Sequence, residues 1–262
     1  MSLNKNTKAL LETLVTENDY LSYSVKRCIT NCLDDDTNAA NTDFVAQMKK
    51  KLTEQSVRLP TNIDGKVICY SPENFIPERY YTQQRWIDSV LQSIMKMKTV
   101  AEMMASMRIH YRNATILYGE SGTGKTEFAR YVAYRLNLPL FYLNFSSIID
   151  SLLGNTGRNI ANIFNYVKKR ECVFMLDEVD CIAESRCCAN GAEKEFSRVT
   201  ITLMQEFDML PNNIILIAAT NRIDIIDDAV LNRFSVKQKI ERLSLDDNRA
   251  FAQFYVKAIQ AE

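Results

Sequence analysis

The sequence predicts an α/β protein with a five-stranded parallel sheet covered by helices on both faces. Short apolar runs alternate with helical patterns through the second half of the 262-residue chain, and this alternation is typical of parallel sheets. A glycine-rich turn follows the first of these apolar runs, as it does where a strand leads into a phosphate-binding helix. The predicted strands are Ala114–Tyr118, Leu140–Asn144, Cys172–Leu176, Ile214–Ala219 and Val236–Ile240. The predicted helices are 82–107, 127–136, 159–169, 192–209 and 246–259.

The N-terminal part of the chain, residues 1–58, is predicted to be a small helical region. Apolar residues recur at every third or fourth position through residues 4–33 and again through Thr42–Gln55, which is the spacing of one helix face. These faces either pack against the rest of the chain or dock a partner. Residues 59–81 follow as a linker in which prolines and a glycine interrupt short apolar runs, with room for one strand at Val67–Tyr70.

Residues 119–126 read GESGTGKT and lie between a predicted strand and a predicted helix. Glycines let the backbone curl so that successive amide groups point at a polyphosphate, and the helix start directs its positive dipole end at the same anion. Lys125 adds a charge for the outer phosphates, and the Thr126 hydroxyl is placed to bind Mg²⁺. The sequence therefore predicts a nucleoside triphosphate bound by Gly119, Glu120, Ser121, Gly122, Thr123, Gly124, Lys125 and Thr126.

Two carboxylates, Asp177 and Glu178, end the apolar run that begins at Cys172. Ligands of open α/β sheets bind beyond the carboxyl ends of the strands, where both acids would emerge. Side chains alternate along a strand, so the two acids need not have the same task. We expect Asp177 to hold Mg²⁺ through water and Glu178 to orient or deprotonate the attacking water.

Two further polar residues follow the last predicted strands of this pattern. Asn221 comes directly after the strand Ile214–Ala219 and Thr220, where its amide could contact both the attacking water and the terminal phosphate; it could equally be an ordinary turn residue. Arg233 follows a short predicted helix. It is either an arginine finger that reaches into a neighbouring subunit's site or a member of a surface ion pair.

The composition limits the functional classes. Acidic and basic side chains balance at 32 each, so no net field steers the chain onto nucleic acid or lipid. We expect no membrane span, because no apolar run approaches the required length, and no signal peptide. Seven cysteines without regular spacing, beside a single histidine, predict reduced thiols rather than disulfides or zinc, and hence a cytoplasmic protein.

Taken together, Gly119–Thr126, Val173–Glu178, Ala218–Arg222 and Asp228–Phe234 resemble the motifs of the AAA+ ATPase family, in that family's order, within residues 76–245. The resemblance implies a three-layer P-loop NTPase sandwich that binds ATP and Mg²⁺. It assigns Lys125 and Thr126 to Walker A and Asp177 and Glu178 to Walker B. It also assigns Asn221 to sensor 1 and Arg233 to the trans arginine finger, and it implies a homo-oligomer in the form of a hexameric ring or spiral.

The stretch 147–160 is similar to the narrower AAA branch, where an aromatic–apolar–glycine pore loop grips a substrate polypeptide. Here the triplet is Leu152-Leu153-Gly154, and leucine lacks the flat ring of an aromatic side chain. Within that branch the chain more particularly resembles stand-alone bacterial and phage-type AAA proteins, some of them paired with a peptidase.

The chain departs from the family pattern at three other places. The P-loop has Glu120 and Ser121 where prolines are usual, and one of the family's two second-region arginines is replaced by Asn232. The family's helical lid normally continues well beyond residue 262. The resemblance therefore predicts four regions: an N-terminal helical region (1–58), a linker (59–81), an AAA+ large domain (82–243) and the start of a truncated lid (244–262).

The function that this combination favours is ATP hydrolysis coupled to the remodelling of a protein partner. The main alternative is a nucleotide-gated binding switch, loader or adaptor with weak hydrolysis, which the leucine pore loop and the short lid favour. A helicase loader is disfavoured by the balanced charge. A metabolic kinase would leave Asn221 and Arg233 without a role. Tyr80 and Tyr81, just before the predicted core, either pack on the adenine or are buried in the core.

Overall fold

The computed structural model describes residues 3–17, 23–55, 63, 65–149, 156–181 and 192–260. The chain divides into two compact units, Met1–Thr61 and Asn62–Glu262. The described residues of the first unit form three α-helices, α1 (Lys5–Glu17), α2 (Tyr23–Asp34) and α3 (Thr42–Gln55), and a 3₁₀ turn at Ala39–Asn41. α1 falls within the predicted helical stretch 4–33, and α2 extends one residue beyond it. Residues 18–22 of that stretch lie outside the described part of the chain.

The first unit is held together by the apolar faces that the helical spacing predicts. Its buried cluster consists of Leu11, Val15, Ile29, Leu33, Met48 and Leu52. These residues come from all three helices, so each helix contributes one stripe to a shared core. The apolar faces predicted for this region therefore bury much of their surface within the unit itself.

The second unit is built on a six-stranded sheet. Its strands are β1 (Val67–Tyr70), β2 (Asn113–Tyr118), β3 (Leu140–Asn144), β4 (Cys172–Asp177), β5 (Ile214–Thr220) and β6 (Val236–Lys239). Its helices are α4 (Arg85–Ser106), α5 (Lys125–Leu136), α6 (Phe145–Ile149), α7 (Thr156–Val167), α8 (Ala192–Asp208), α9 (Asp228–Leu231) and α10 (Leu245–Gln260). Short 3₁₀ turns occupy Pro72–Asn74, Pro77–Arg79 and Ile223–Ile225.

The order of the strands across the sheet is β1-β3-β4-β5-β2-β6. The five strands predicted from the apolar runs are all parallel to one another, which confirms the predicted parallel sheet. The sixth strand is β1, which lies in the predicted linker and pairs antiparallel with β3. The central position of β4 and β5 explains their apolar sequences, because strands covered on both faces bury nearly every side chain.

Aromatic rings join the helices to the central strands. Phe164 of α7 contacts Phe174 of β4 edge to face, with ring centroids 5.0 Å apart, and Phe207 of α8 contacts Phe234 after α9 at 5.7 Å. All of these rings are buried. Because this core fixes the strands rigidly, the loops at their carboxyl ends have defined positions. None of the described helices is both long and apolar enough to cross a lipid bilayer.

Candidate active site

The loop 119–124 connects β2 to α5 and has the backbone geometry that its glycines predict. Gly119, Gly122 and Gly124 have φ values of 153°, 77° and 89°, a region that side chains with a Cβ rarely adopt. Gly124 is the N-cap of α5, so the helix begins at Lys125. At Gly119 a Cβ would lie 2.1 Å from the Ile240 carbonyl oxygen, and only glycine fits between β2 and the end of β6.

Lys125 is buried at the centre of this loop, with 7% of its surface exposed. Its Nζ donates hydrogen bonds to the carbonyl oxygens of Gly119 at 2.7 Å and Glu120 at 2.8 Å. A third bond runs to Asn221 Oδ1 at 2.9 Å. Burial lowers the pKa of the Lys125 ammonium, and the nearby Asp177 and Asp180 carboxylates oppose that shift. The ammonium is therefore held in place by three oxygen acceptors, and phosphate oxygens could replace these acceptors.

Asp177 ends β4 and is fixed by donors on three sides. Its Oδ2 accepts hydrogen bonds from the Thr126 hydroxyl at 3.0 Å and from the Tyr142 hydroxyl at 3.1 Å. Its Oδ1 accepts a bond from the Glu178 backbone N–H at 3.0 Å. A carboxylate and a hydroxyl in contact are a suitable donor set for Mg²⁺, which prefers hard oxygen ligands and keeps several waters. The residues at this position therefore fit the metal that the sequence predicts.

Glu178 adopts a left-handed backbone conformation, with φ of 56°. This conformation is uncommon for a non-glycine residue and occurs often at functional sites. The next residue donates a backbone bond from its N–H to the Ala219 carbonyl at 3.2 Å, which brings the end of β4 beside the end of β5. A cleft of about 340 Å³ is lined by residues 121–127 together with Asp177, Glu178 and Asn221.

A second cavity of about 450 Å³ is also lined by residues 121–124 of this loop. Its aromatic side chains come from the segment before α4, from α4 itself and from α10: Tyr80, Tyr81, Trp86, Phe251 and Tyr255. Tyr81 meets Phe251 edge to face, with centroids 5.5 Å apart, whereas Tyr80 stacks on Tyr131 of α5 at 4.5 Å. Both tyrosines thus line a cavity and also pack on neighbouring rings.

Arg233 is held by its own chain, in the ion pair that the sequence left as one of two alternatives. Its Nε and Nη2 donate to the two carboxylate oxygens of Asp208 at 3.0 Å and 2.7 Å, and its Nη1 donates to the Ala229 carbonyl at 2.6 Å. Arg112 also donates to Asp208, at 2.6 Å. The Arg233 bonds, helped by those of Arg112, hold the pKa of Asp208 below its usual value. Arg233 is not among the described residues that line the cleft.

Most of the predicted site residues are brought together. Lys125, Thr126, Asp177, Glu178 and Asn221 line one cleft with residues 121–124, and the carbonyls of Gly119 and Glu120 hold the lysine from behind. The predicted pore triplet, Leu152-Leu153-Gly154, lies outside the described residues.

Tyr142 is a site residue that the sequence reasoning missed. Burial raises the pKa of its phenol, and the neighbouring Asp177 carboxylate adds to the shift, so the hydroxyl is a donor at neutral pH. The register of the strands could have predicted this contact. Asn144 lies opposite Asp177, and Tyr142 is on the same face of its strand as Asn144. The prediction requires knowing that β3 and β4 are neighbours, which the sequence alone does not state.

A comparison with protein-family models finds that residues 115–242 match the ATPase family associated with various cellular activities (AAA). The matched segment contains the whole cleft described above. The chain contains an AAA ATPase domain. Within this AAA domain, β2 to β6 form the parallel sheet.

The AAA domain is similar to those of proteasome-associated proteins. A "26S proteasome regulatory subunit 8 homolog" of Encephalitozoon cuniculi is 29% identical over 70% of this chain and 48% of its own length. A "26S proteasome regulatory subunit 10B homolog A" of Arabidopsis thaliana is 33% identical over 53% of this chain and 36% of its own. A "Proteasome-activating nucleotidase" of Methanosphaerula palustris is 29% identical over 66% and 44%, respectively.

The chain spans less than half the length of each of these relatives. None of the three is named as a stand-alone bacterial or phage-type protein. They therefore support the AAA domain but lend no support to the narrower resemblance that the sequence suggested.

Proposed function

We propose that this protein binds ATP with Mg²⁺ in the cleft beside Lys125 and hydrolyses it. The observation that carries the proposal is the position of the Lys125 ammonium. It lies within hydrogen-bond distance of both the loop and Asn221, in a cleft that also contains Asp177 and Glu178. A single anion that replaces these acceptors would contact the loop amides, the lysine and the amide of Asn221 together.

The roles of the side chains follow from their positions. Thr126 and Asp177 would hold Mg²⁺, which when bound neutralises charge on the phosphate oxygens. Glu178, at the edge of the cleft, would orient the attacking water and accept its proton. Lys125 and Asn221 would stabilise the charge that develops on the terminal phosphoryl group, because donors fixed in advance need no reorganisation during the reaction.

The aromatic cavity is proposed as the site of the adenine base. It adjoins residues 121–124 of the phosphate loop, so a nucleotide whose phosphates occupy the loop has an apolar volume within reach. The edges and faces of Tyr81 and Phe251 offer the flat apolar contact that a purine needs. Because Phe251 belongs to α10, base binding would connect the sheet to that helix.

We propose that the active form is a homo-oligomer, a hexameric ring or spiral in which Arg233 acts on a neighbour's nucleotide. The oligomer would then remodel a protein partner, and one candidate for a binding partner is a peptidase. The names of the relatives, which refer to the proteasome, support this assignment. The odd number of cysteines supports action in the cytoplasm.

A nucleotide-gated binding switch is the second candidate, and the Arg233 contacts favour it. In this structure Arg233 donates hydrogen bonds to both carboxylate oxygens of Asp208. Both bonds must break before the guanidinium can reach another subunit. If the contacts between Arg233 and Asp208 persist, the protein would bind nucleotide but hydrolyse it slowly, because this arginine would not reach the neighbouring site.

The experiment that tests the proposed function compares Glu178→Gln with wild type. We expect the variant to bind ATP with unchanged affinity in calorimetry and to hydrolyse it at least about 100-fold more slowly, because only the proton acceptor is lost. Glu102→Gln is the control, since Glu102 is an exposed partner of Lys98 on α4. Undiminished hydrolysis by Glu178→Gln would refute the role of Glu178, and absence of ATP binding to wild type would refute the proposal as a whole.

A second experiment separates the remodeller from the switch. Light scattering with ATP and Mg²⁺ measures assembly of wild type, Arg233→Ala and the control Arg222→Ala, whose side chain pairs with the exposed Asp224. A trans arginine finger predicts that Arg233→Ala assembles and binds ATP but loses hydrolysis. Equal hydrolysis by Arg233→Ala and wild type would favour the switch.

A further inference from the structure

The hydroxyl of Tyr142 contacts the carboxylate that is proposed to hold Mg²⁺. It is 3.1 Å from Asp177 Oδ2, and the same oxygen accepts a hydrogen bond from the Thr126 hydroxyl at 3.0 Å. Asp177 and Thr126 are among the described residues that line the cleft, and Tyr142 is not. The carboxylate therefore has one hydroxyl donor from the lining of the cleft and a second from the neighbouring strand β3.

The backbone directs the tyrosine to this position. β3 runs parallel to β4 with Tyr142 opposite Met175 and Asn144 opposite Asp177. Residues two apart on a strand share a face, and a diagonal neighbour across a pair of strands is within reach of an aromatic side chain. Tyr142 thus lies diagonally across from Asp177, at a distance that its long ring and hydroxyl span.

The ring itself is held by the antiparallel edge strand. Tyr70, the last residue of β1, meets the Tyr142 ring edge to face with centroids 6.4 Å apart. The Arg130 guanidinium of α5 lies 4.9 Å from the centroid of the Tyr70 ring, and Arg130 pairs with Glu127 at 3.0 Å. The Tyr142 hydroxyl is consequently a fixed donor, because its ring contacts a neighbour that is itself packed.

We propose that Tyr142 is a positioning residue for Asp177, and that its hydroxyl sets the affinity of the site for Mg²⁺. The inference rests on the proposed function. Asp177 has two donors besides Tyr142, the Glu178 N–H on Oδ1 and the Thr126 hydroxyl on Oδ2. Thr126 is itself a proposed magnesium ligand, so Tyr142 is the donor on Oδ2 that stays with the carboxylate when the metal site fills. Partners of this kind orient a ligand, and their loss weakens metal binding.

The test uses the full chain and a fluorescent ATP analogue, titrated first in EDTA and then with Mg²⁺. For Tyr142→Phe we expect unchanged affinity for the nucleotide in EDTA and an increase of about tenfold in the Mg²⁺ concentration that gives half of the metal-dependent change. The phenylalanine keeps the ring contact with Tyr70, so the variant is expected to fold. Its affinity in EDTA and its thermal midpoint check that it does.

Tyr70→Phe is the matched control, because it removes a hydroxyl from the other ring of the same pair and keeps both rings. We expect its Mg²⁺ titration to follow that of wild type. Equal Mg²⁺ midpoints for Tyr142→Phe and wild type would overturn the inference and leave the proposed function intact. An equal shift in both tyrosine variants would also overturn it, since the cause would be packing. Wild type without any nucleotide binding would overturn the proposed function instead, and the inference with it.

Discussion

Lys125 and Asn221 hydrogen-bond to each other across 2.9 Å, although they lie 96 residues apart in the chain. Both are assigned to the terminal phosphate of the proposed nucleotide. In this structure the amide oxygen of Asn221 occupies one donor of the ammonium that a phosphate oxygen would take. This contact therefore competes with nucleotide binding, and a stronger acceptor at residue 221 is expected to weaken that binding.

Replacement of Asn221 by aspartate is expected to weaken ATP binding. A carboxylate at this position would make a charge-assisted bond to Lys125, stronger than the present neutral acceptor, and would repel the phosphates. We expect the Kd for ATP to rise about tenfold. For Asn221→Ala we expect little change in Kd and a fall in hydrolysis of about 100-fold, since one donor to the reacting group is lost. Calorimetry and phosphate release measure the two quantities, and a tighter Asn221→Asp complex would contradict the argument.

Gly119→Ala is expected to destabilise the protein more than Gly65→Ala does. Both residues have positive φ, 153° and 76°, but a Cβ would meet the Ile240 carbonyl oxygen at 2.1 Å at Gly119 and no described atom within 4 Å at Gly65. Backbone strain alone costs about 1 kcal/mol, and the collision should add roughly 2 kcal/mol. Urea unfolding measures the difference. Equal losses in the two variants would show that the end of β6 moves away easily.

The ion pair of Asp208 and Arg233 is expected to make a small, pH-dependent contribution to stability. Because the pKa of Asp208 is lowered in the folded protein, the contribution is fully present above the ordinary aspartate pKa of about 3.9. It is lost as the pH falls through the lowered value. Asp208→Asn should reduce the free energy of unfolding at pH 7 by about 0.5 kcal/mol, since solvent screens this half-exposed carboxylate.

The measurement for this pair is urea unfolding of wild type and Asp208→Asn from pH 7 downward. The difference between them should stay constant to about pH 5 and shrink below about pH 4. Asp246→Asn is the control, because Asp246 is exposed and its carboxylate lies 3.7 Å from the Arg249 guanidinium. A difference that grows toward acid pH would contradict the assignment.

Tyr81→Leu is expected to weaken the binding of ATP without affecting that of inorganic tripolyphosphate. The ring lines the aromatic cavity beside the phosphate loop, and loss of one aromatic contact with the base should raise the Kd for ATP about fivefold. Tyr134→Leu is the control, since Tyr134 packs on Phe75 with centroids 5.2 Å apart. Competition with a fluorescent nucleotide measures both ligands. Parallel losses for ATP and tripolyphosphate would place the base elsewhere.

The sequence predicted the elements well where a local signal sufficed. α3 and β3 have the predicted bounds, because helical spacing and a short apolar run between polar residues need no distant partner. The start of α4 was predicted three residues too early, at residue 82, since the extended backbone of Gln84, which caps the helix, has no signal in the apolar spacing. The antiparallel pairing of β1 was also not predicted. Four residues of mixed burial do not indicate a direction, which depends on the edge of β3.

By itself the sequence determined the parallel sheet and the phosphate-loop motif, because apolar runs and glycine spacing are encoded within a few consecutive residues. Only the tertiary structure decided which groups meet. The bonds from Asn221 to Lys125, from Tyr142 to Asp177 and from Arg233 to Asp208 join segments that are distant in the chain. The strand order makes the first two residue pairs neighbours, and the ring contact of Phe207 with Phe234 brings the third pair together. Hydrogen bonds act over about 3 Å, and spacing along a sequence does not specify distances of that size between separate strands.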